Sequence, residues 1–137
     1  MRHGGEWLVG FVSARRFFDF HPALAAGPTL DDLRLLGAAT DRTSTEGTTL
    51  VEVDGRMAVL ASDGRDSRRG QRARFPAYDL AMTETGTLDA PYPTNLPWPS
   101  VAHVDDRWLM ATFDGRPAGG RLLGYGTHGD LLLMRER

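Results

Sequence analysis

The sequence has no cysteine, no lysine and no isoleucine among its 137 residues. Without cysteine there is no disulfide, no thiolate nucleophile and no cysteine-ligated zinc. Without lysine there is no Schiff base on the chain and no P-loop lysine, and all sixteen basic residues are arginine. These absences exclude several enzyme classes and leave carboxylate and histidine chemistry open.

The chain also lacks a long apolar run and a large net charge. No stretch approaches the roughly 18 apolar residues of a membrane span, and the first residues do not have the pattern of a signal peptide. A net charge of −2 argues against general nucleic-acid binding. We therefore expect neither a membrane nor a nucleic acid as a partner, and no export signal in this chain, with the cytoplasm as the default compartment.

Glycine and proline are frequent, at sixteen and eight residues. Together with the many Val, Leu, Thr and aromatic residues, they indicate short strands joined by tight turns. Nothing in the sequence has the length or the period of a substantial helix. We therefore predict a single all-β domain.

Two hairpins are predicted most clearly. The first spans 48–62 with its turn at Asp54-Gly55, because Asp-Gly between apolar runs fits the positive φ angles of a type I′ turn. The second spans 101–115. Further strands are predicted at 5–13, 16–20, 73–82, 121–126 and 130–134.

The remaining segments are more ambiguous. Residues 29–36 fit one helical turn or an edge strand, and we favour a short turn leading into an outer strand. The Arg-rich segment 63–72 is interpreted as a solvated loop in preference to a nucleic-acid patch.

Prolines provide the other boundaries. His21-Pro22 is expected to end the 16–20 strand, and Pro76 is expected to place its strand toward the outside of its sheet. The segment from Thr83 to Thr94 is predicted to be rich in turns. Four prolines are then expected to keep the chain out of a ladder at their own positions: Pro91, Pro93, Pro97 and Pro99.

An internal repeat connects the hairpins. A shift of 51 residues places Val53, Asp54, Arg56, Asp63, Gly64 and Arg65 over Val104, Asp105, Arg107, Asp114, Gly115 and Arg116. A shift of 50 places Gly5-Glu6-Trp7 over Gly55-Arg56-Met57. Such a period is typical of propeller blades with four short strands each. The alternative is a β-sandwich whose hairpins share only turn chemistry, and the matched spacing favours the propeller.

The repeat predicts three blades, at about 1–40, 44–90 and 95–137, of which the first lacks its innermost strand. Closed propellers use about four to eight blades, so this ring is incomplete and two apolar blade faces remain open. We therefore expect a homo-oligomer or membership of a longer chain. Four aromatic residues are predicted to pack between blades: Trp7, Phe17, Trp108 and Phe113.

Motifs within residues 44–137 carry a family resemblance. They are Thr45-Glu46-Gly47-Thr48, Asp54-Gly55-Arg56-Met57, Ser62-Asp63-Gly64, Leu88-Asp89-Ala90-Pro91-Tyr92-Pro93 and Tyr125-Gly126-Thr127-His128-Gly129-Asp130-Leu131. Together they resemble the five-bladed β-propeller glycosidases of the arabinanase, β-xylosidase and invertase type. The first is similar to that family's Glu-Gly-Pro turn, with Thr48 in the place of the proline.

The resemblance implies a glycoside hydrolase-like protein or fragment that acts on plant-type oligosaccharides, with Glu46 as the general acid. It implies no cofactor beyond a channel metal ion held through water. In that family the base and a pKa-tuning Asp come from earlier blades, and no Asp of this chain matches their motifs. Asp19 and Asp41 are the nearest substitutes in sequence. The alternatives are a non-catalytic carbohydrate-binding module and an assembly module.

Inner strands of a propeller begin around one mouth of its channel, so we expect Glu46 in a partly desolvated pocket, where burial raises a carboxyl pKa. The other interpretation is a turn glutamate that accepts backbone N–H groups. Asn95 and Trp98 precede the third inner strand and are expected to bind sugar hydroxyls and to stack on a sugar ring. The alternative for Trp98 is a packing plug between two prolines.

His128 and Asp130, on a Gly-rich turn, are candidates for a channel ligand or a metal-bound water network. His103 is expected to be structural. No H-x-H or HExxH spacing supports a zinc site built by the protein.

Overall fold

The computed structural model describes residues 1–17, 19–41, 45–63, 72–93, 99–113 and 131–136. Within these ranges the chain is all-β, with eleven strands and no helix, as the composition predicts. There is accordingly no helix in the described residues that could cross a membrane. Three antiparallel sheets of four, four and three strands follow one another along the chain.

Each sheet is a meander in which consecutive strands are hydrogen-bonded neighbours. Sheet 1 contains β1 (Arg2–His3), β2 (Glu6–Ala14), β3 (Phe20–Thr29) and β4 (Asp32–Ala38). Sheet 2 contains β5 (Thr45–Val53), β6 (Arg56–Asp63), β7 (Arg72–Tyr78) and β8 (Glu84–Pro93). Sheet 3 contains β9 (Ser100–Val104), β10 (Arg107–Phe113) and β11 (Leu131–Arg135).

The meander topology is that of propeller blades. Greek-key sandwiches return a strand to its sheet by a long connection, whereas a blade is one four-stranded sheet of short strands. In the described residues no strand crosses from one sheet to another, and none of the three sheets closes on itself. The fold of the described residues is therefore all-β, with three open antiparallel sheets, which confirms the predicted fold class and fits both an incomplete set of blades and a sandwich.

The repeat is visible in the turn that joins the first two strands of each sheet. Both turn residues have positive φ in Gly4-Gly5 (56° and 86°), Asp54-Gly55 (50° and 74°) and Asp105-Asp106 (49° and 59°). Positive φ at both positions defines a type I′ turn, whose twist matches that of the flanking strands. The turns are 50 and 51 residues apart, which is the period the sequence predicts. In the first repeat the strand before this turn, β1, has only two residues.

The main core lies between sheets 1 and 2. The strands β2 and β3 of sheet 1 contact β5 of sheet 2. The buried cluster joins apolar side chains of both sheets: Leu8, Leu24, Ala26 and Ala39 with Met57, Val59, Ala61, Tyr78 and Met82. This core fixes β5, the first strand of sheet 2, against its neighbour.

Strand β3 differs from the prediction. It begins at Phe20 and runs to Thr29, so His21-Pro22 lies inside the strand and does not end it. The carbonyl oxygen of Pro22 accepts a hydrogen bond from the N–H of Ala39, one residue beyond the end of β4. In an antiparallel pair the N–H and C=O of one residue point to the same neighbour. The side of Pro22 that would carry an N–H therefore faces Ala39, beyond the last residue of β4. The absence of this N–H removes no hydrogen bond from the ladder of β3 and β4.

Two further predictions for sheet 2 are wrong. Strand β7, which contains Pro76, is the third of four strands, and the segment predicted to be rich in turns forms the outer strand β8. In the described residues β6 and β7 are paired at Val59–Tyr78 and Leu60–Ala77, so Pro76 lies just beyond these pairs. Pro91 and Pro93 are within β8, and an edge strand tolerates proline because one of its sides forms no ladder.

Candidate functional site

Glu46 is the second residue of β5, and not part of a turn before the strand as predicted. Strand β5 contacts β2 and β3 of sheet 1 and also β9 of sheet 3. It is thus the strand at which both neighbouring sheets approach sheet 2.

A bulge in β5 decides the direction of the Glu46 side chain. Pairing with β6 is regular from the Asp54-Gly55 turn as far as Thr49, and the register shifts between Thr49 and Glu46. Gly47, with a φ of 72°, supplies the left-handed residue that a glycine bulge requires. Continuing the regular register would place Glu46 opposite Asp63, where two like charges are unfavourable.

With the bulge, Glu46 is opposite Ser62, and Thr45 is opposite Asp63. Directly opposite residues project to the same face of an antiparallel pair, and successive residues project to opposite faces. Ser62 therefore shares its face with Leu60, which faces sheet 3, and so does Glu46. Thr45 and Asp63 project toward sheet 1. The bulge thus places the two carboxylates on opposite faces of sheet 2.

Glu46 is partly buried, and this burial raises the pKa of its carboxyl group above the ordinary value of 4.5. Burial disfavours the charged form because the carboxylate loses contact with water. A carboxyl group that keeps its proton closer to neutral pH is suited to general acid catalysis. The expected desolvation of Glu46 is present, and its catalytic role stays a prediction.

Buried polar side chains surround this end of β5 and β6. Thr45 and Ser62 have no exposed surface, and Asp63 is 5% exposed. The Oγ1 atom of Thr45 has no hydrogen-bond partner among the described residues. Sequence reasoning included these residues in motifs but did not identify them as neighbours of Glu46, because the bulge determines the pairing.

The other predicted site residues, Asn95, Trp98, His128 and Asp130, lie outside the described residues. The next described residue after Trp98 is Pro99, which is fully buried and whose carbonyl oxygen accepts a hydrogen bond from Thr49 Oγ1. Thr49 is opposite Leu60 and shares the face that carries Glu46. The entry to sheet 3 therefore adjoins the Glu46 face of sheet 2.

Asp19 does not provide a second free carboxylate. Its Oδ1 is 3.1 Å from Nε2 of His21, and its Oδ2 is 3.5 Å from Nε of Arg15 and 4.0 Å from Nε of Arg16. His21 is completely buried and Asp19 is 9% exposed, so this cluster is a local structural feature of residues 15–21. Asp41 is exposed after the end of sheet 1.

The aromatic side chains divide between the interior and the surface. Trp108 lines the space between sheets 2 and 3, and the exposed His103 packs on it with 4.9 Å between ring centroids. Phe17 is 82% exposed, so its predicted packing between blades is wrong. Trp7 is partly buried, with the guanidinium carbon of Arg2 at 5.3 Å from its ring centroid. The side chain of Phe113 lies outside the described residues.

An open apolar cleft of about 580 Å³ separates sheets 2 and 3, a volume within the roughly 300–1,000 Å³ of small-molecule sites. Its lining comes from both sheets and from the end of the chain: Val51, Val53, Ala58, Leu60, Ala77, Leu88, Val101, Trp108, Leu109, Met110, Met134, Arg135 and Glu136. The face of sheet 2 that lines this cleft also carries Glu46. An aromatic ring, apolar walls and one desolvated carboxyl group thus belong to the same side of sheet 2.

Comparison of the chain with protein-family models, curated proteins and solved structures finds no match. The described ranges contain no group of three His, Asp or Glu side chains that could hold a metal ion. The candidate site therefore depends on its local chemistry, with Glu46 as its titratable group.

Proposed function

We propose that this chain is a glycosidase-like, carbohydrate-directed module in which Glu46 donates a proton to the glycosidic oxygen. The observation that carries the proposal is the partly buried Glu46 carboxyl with a raised pKa, on the strand that both neighbouring sheets contact. A general acid must hold its proton at the working pH and transfer it to the leaving group. The resemblance of the 44–137 segment supplies the substrate class, a plant-type oligosaccharide.

Hydrolysis of a glycosidic bond also needs a second carboxylate, as a base or as a nucleophile. Asp63 projects to the opposite face of sheet 2 from Glu46, and the Asp19 carboxylate lies within 4.0 Å of the side chains of Arg15 and Arg16. Neither of these two carboxylates is available beside Glu46, and we propose that the second carboxylate comes from another part of the chain or of its assembly. In this proposal the chain contributes the acid, and Asn95, Trp98, His128 and Asp130 contribute sugar contacts.

The second candidate is a sugar-binding module without turnover. It is favoured by the neutral Ser62 directly opposite Glu46, since an acid alone does not complete the two-carboxylate arrangement. In this case the Glu46 carboxyl accepts or donates hydrogen bonds to sugar hydroxyls. The Trp108 ring in the adjoining cleft offers an apolar surface to a sugar ring.

The test compares Glu46→Gln with Glu52→Gln, which lies on the same strand near the Asp54-Gly55 turn. Turnover of aryl glycosides and arabino-oligosaccharides should fall about 10²–10⁴-fold in Glu46→Gln and stay unchanged in Glu52→Gln. Binding of the same sugars is measured by calorimetry, with Trp98→Ala as a third variant. Sugar binding without turnover selects the second candidate. Neither turnover nor binding by the unmodified chain would refute both.

A further inference from the structure

The apolar cleft between sheets 2 and 3 is closed at one end. On the β5 side its lining consists of Val51 and Val53, and the next residue of the same face, Thr49, lies outside the lining. The Oγ1 atom of Thr49 donates a hydrogen bond to the carbonyl oxygen of Pro99, the residue before β9. Thr49 is opposite Leu60, the residue at which the lining of β6 stops. This hydrogen bond therefore joins β5 to the entry of sheet 3 at the edge of the cleft.

The other end of the cleft lies at the type I′ turns of the two sheets. Val53 is the last residue before the turn of sheet 2, and Trp108 is the second residue after the turn of sheet 3. At this end Arg135 and Glu136 line the cleft and also an adjoining pocket of about 450 Å³. The described residues that line this pocket are all charged: Asp106, Arg107, Arg135 and Glu136. The cleft thus opens onto a charged mouth.

Two arginine side chains of this mouth are available to a ligand. In the part of the chain that the structure describes, neither Arg107 nor Arg135 has a carboxylate oxygen within 4.0 Å, and both are exposed. The Oε2 atom of Glu136 accepts a hydrogen bond from the backbone N–H of Trp108 at 3.4 Å. A guanidinium group presents its N–H donors in one plane and can bind a carboxylate through two of them. Since the mouth holds as many acidic as basic residues, these donors, and not a net positive field, attract an anion.

The walls of the cleft determine the rest of the ligand. Apart from the residues at the mouth, the described lining is apolar: Val51, Ala58, Leu60, Ala77, Leu88, Val101, Leu109, Met110 and Met134. Burying hydrocarbon between such walls is favourable, whereas burying a hydroxyl group without a partner costs free energy. From Thr49 to Val53 the strand extends about 13 Å, at about 3.3 Å per residue. A straight hydrocarbon chain of medium length therefore spans the cleft from its closed end to its mouth.

We propose that this cleft binds a medium-chain carboxylate, whose hydrocarbon chain lies between sheets 2 and 3 and whose carboxylate contacts Arg107 and Arg135. Removal of the chain from water stabilises the complex, and the guanidinium groups determine which end of the ligand stays at the mouth. The ligand differs in chemistry from the carbohydrate of the proposed function, and its binding is independent of that function. Glu46 is one row beyond Thr49, on the far side of the hydrogen bond to Pro99, so the acid and the cleft are separate.

The test compares three ligands with the same ten-carbon chain and different head groups: decanoate, 1-decanol and the decyltrimethylammonium ion. Titration calorimetry on the whole chain, below the aggregation concentration of each ligand, should show the tightest binding for decanoate. Decanol should bind about tenfold more weakly, because it keeps the apolar contacts and loses the charge-assisted contacts of two guanidinium groups. The cation should bind more weakly still. Equal binding of decanoate and decanol, or no binding of decanoate, would overturn the proposal.

Variants at the mouth test the position of the carboxylate. Arg107→Gln and Arg135→Gln should each weaken decanoate binding about threefold and leave the affinity for decanol unchanged. Arg16→Gln is the matched control, because Arg16 lies in sheet 1 between β2 and β3 and its side chain is 85% exposed. An equal loss of decanoate affinity in Arg16→Gln and Arg135→Gln would show a general charge effect and would contradict the assigned contact.

A variant in the wall tests the position of the hydrocarbon chain. Ala58→Leu enlarges a side chain that lines the cleft, so it should weaken the binding of decanoate and of decanol alike. Circular dichroism melts of all four variants establish that each keeps its fold. Unchanged binding of both ligands by a folded Ala58→Leu variant would place the hydrocarbon chain elsewhere and refute the proposal.

Discussion

At the scale of single residues, the environment of Glu46 links its chemistry to the stability of the fold. Burial favours the protonated carboxyl, which raises the folded-state pKa above the ordinary value of 4.5. The stability contributed by such a group is fully present below its unfolded-state pKa and is lost as the pH rises through the folded-state pKa. In its charged form, the buried Glu46 carboxylate therefore lowers the stability of the folded chain.

Glu46→Gln should accordingly be more stable than the unmodified chain at pH 7, and this advantage should shrink toward pH about 3.5. The amide keeps the shape of the side chain and cannot ionise, so all other titrations cancel in the difference. Urea unfolding of both proteins across this pH range gives their free energies of unfolding as curves against pH, and the difference between the two curves is the predicted advantage. Two curves that stay parallel through the whole range would show that burial does not affect the ionisation of Glu46.

At the scale of elements, local turn chemistry predicts the hairpins, and tertiary context decides the strands that sequence patterns do not predict. Asp54-Gly55 can be identified as a type I′ turn because its φ requirements concern two residues only. Strand β3 is mostly alanine and glycine after Pro22, which gives weak strand propensity, and only its central place in sheet 1 makes it a strand. The partner of Glu46 is unpredictable for a similar reason, since Gly47 shifts the register by one residue.

Gly27 lies in the hairpin of β3 and β4, where the close approach of the two strands leaves no room for a side chain. A Cβ atom at this position would overlap the backbone carbonyl of Asp32 and would lie 3.0 Å from the Cα of Leu33. Because backbone atoms cannot rotate away, Gly27→Ala should reduce stability by about 1–3 kcal/mol. Thermal and urea unfolding measure this loss.

Gly86→Ala is the matched control for that prediction. Gly86 lies on the outer strand β8, has no positive φ, and leaves open space within 4 Å of the position that a Cβ atom would take. Alanine there should be neutral or should stabilise by up to about 1 kcal/mol. A Gly27→Ala variant that is as stable as the unmodified chain would mean that β3 and β4 are farther apart at Gly27 than the structure shows.

At the scale of the whole molecule, the two interfaces between sheets differ in packing. The contact of sheets 1 and 2 is a closed core, whereas sheets 2 and 3 leave the apolar cleft of about 580 Å³. Both interfaces involve β6, since Ala61 is fully buried in the core and Ala58 lines the cleft. One strand therefore permits the same substitution to be tested in both environments.

Ala61→Leu should destabilise by about 1–3 kcal/mol, because a packed core does not accept three more carbon atoms without strain. Ala58→Leu should be neutral or stabilising, because the cleft has room for the larger side chain. Urea unfolding of both variants gives the comparison. Should Ala58→Leu cost as much as Ala61→Leu, the cleft is closed in solution.

The meander topology also determines how far apart in the chain the partners of each hydrogen bond are. Every ladder of the described residues joins strands that are consecutive in sequence, so most partners within a sheet are separated by short stretches of chain, with a low entropic cost of loop closure. Distant parts of the chain meet through side-chain contacts between sheet faces, as between β2 and β5. Separating two sheets would therefore expose apolar surface and leave the ladders of each sheet intact, which makes the single sheet the natural unit of partial unfolding.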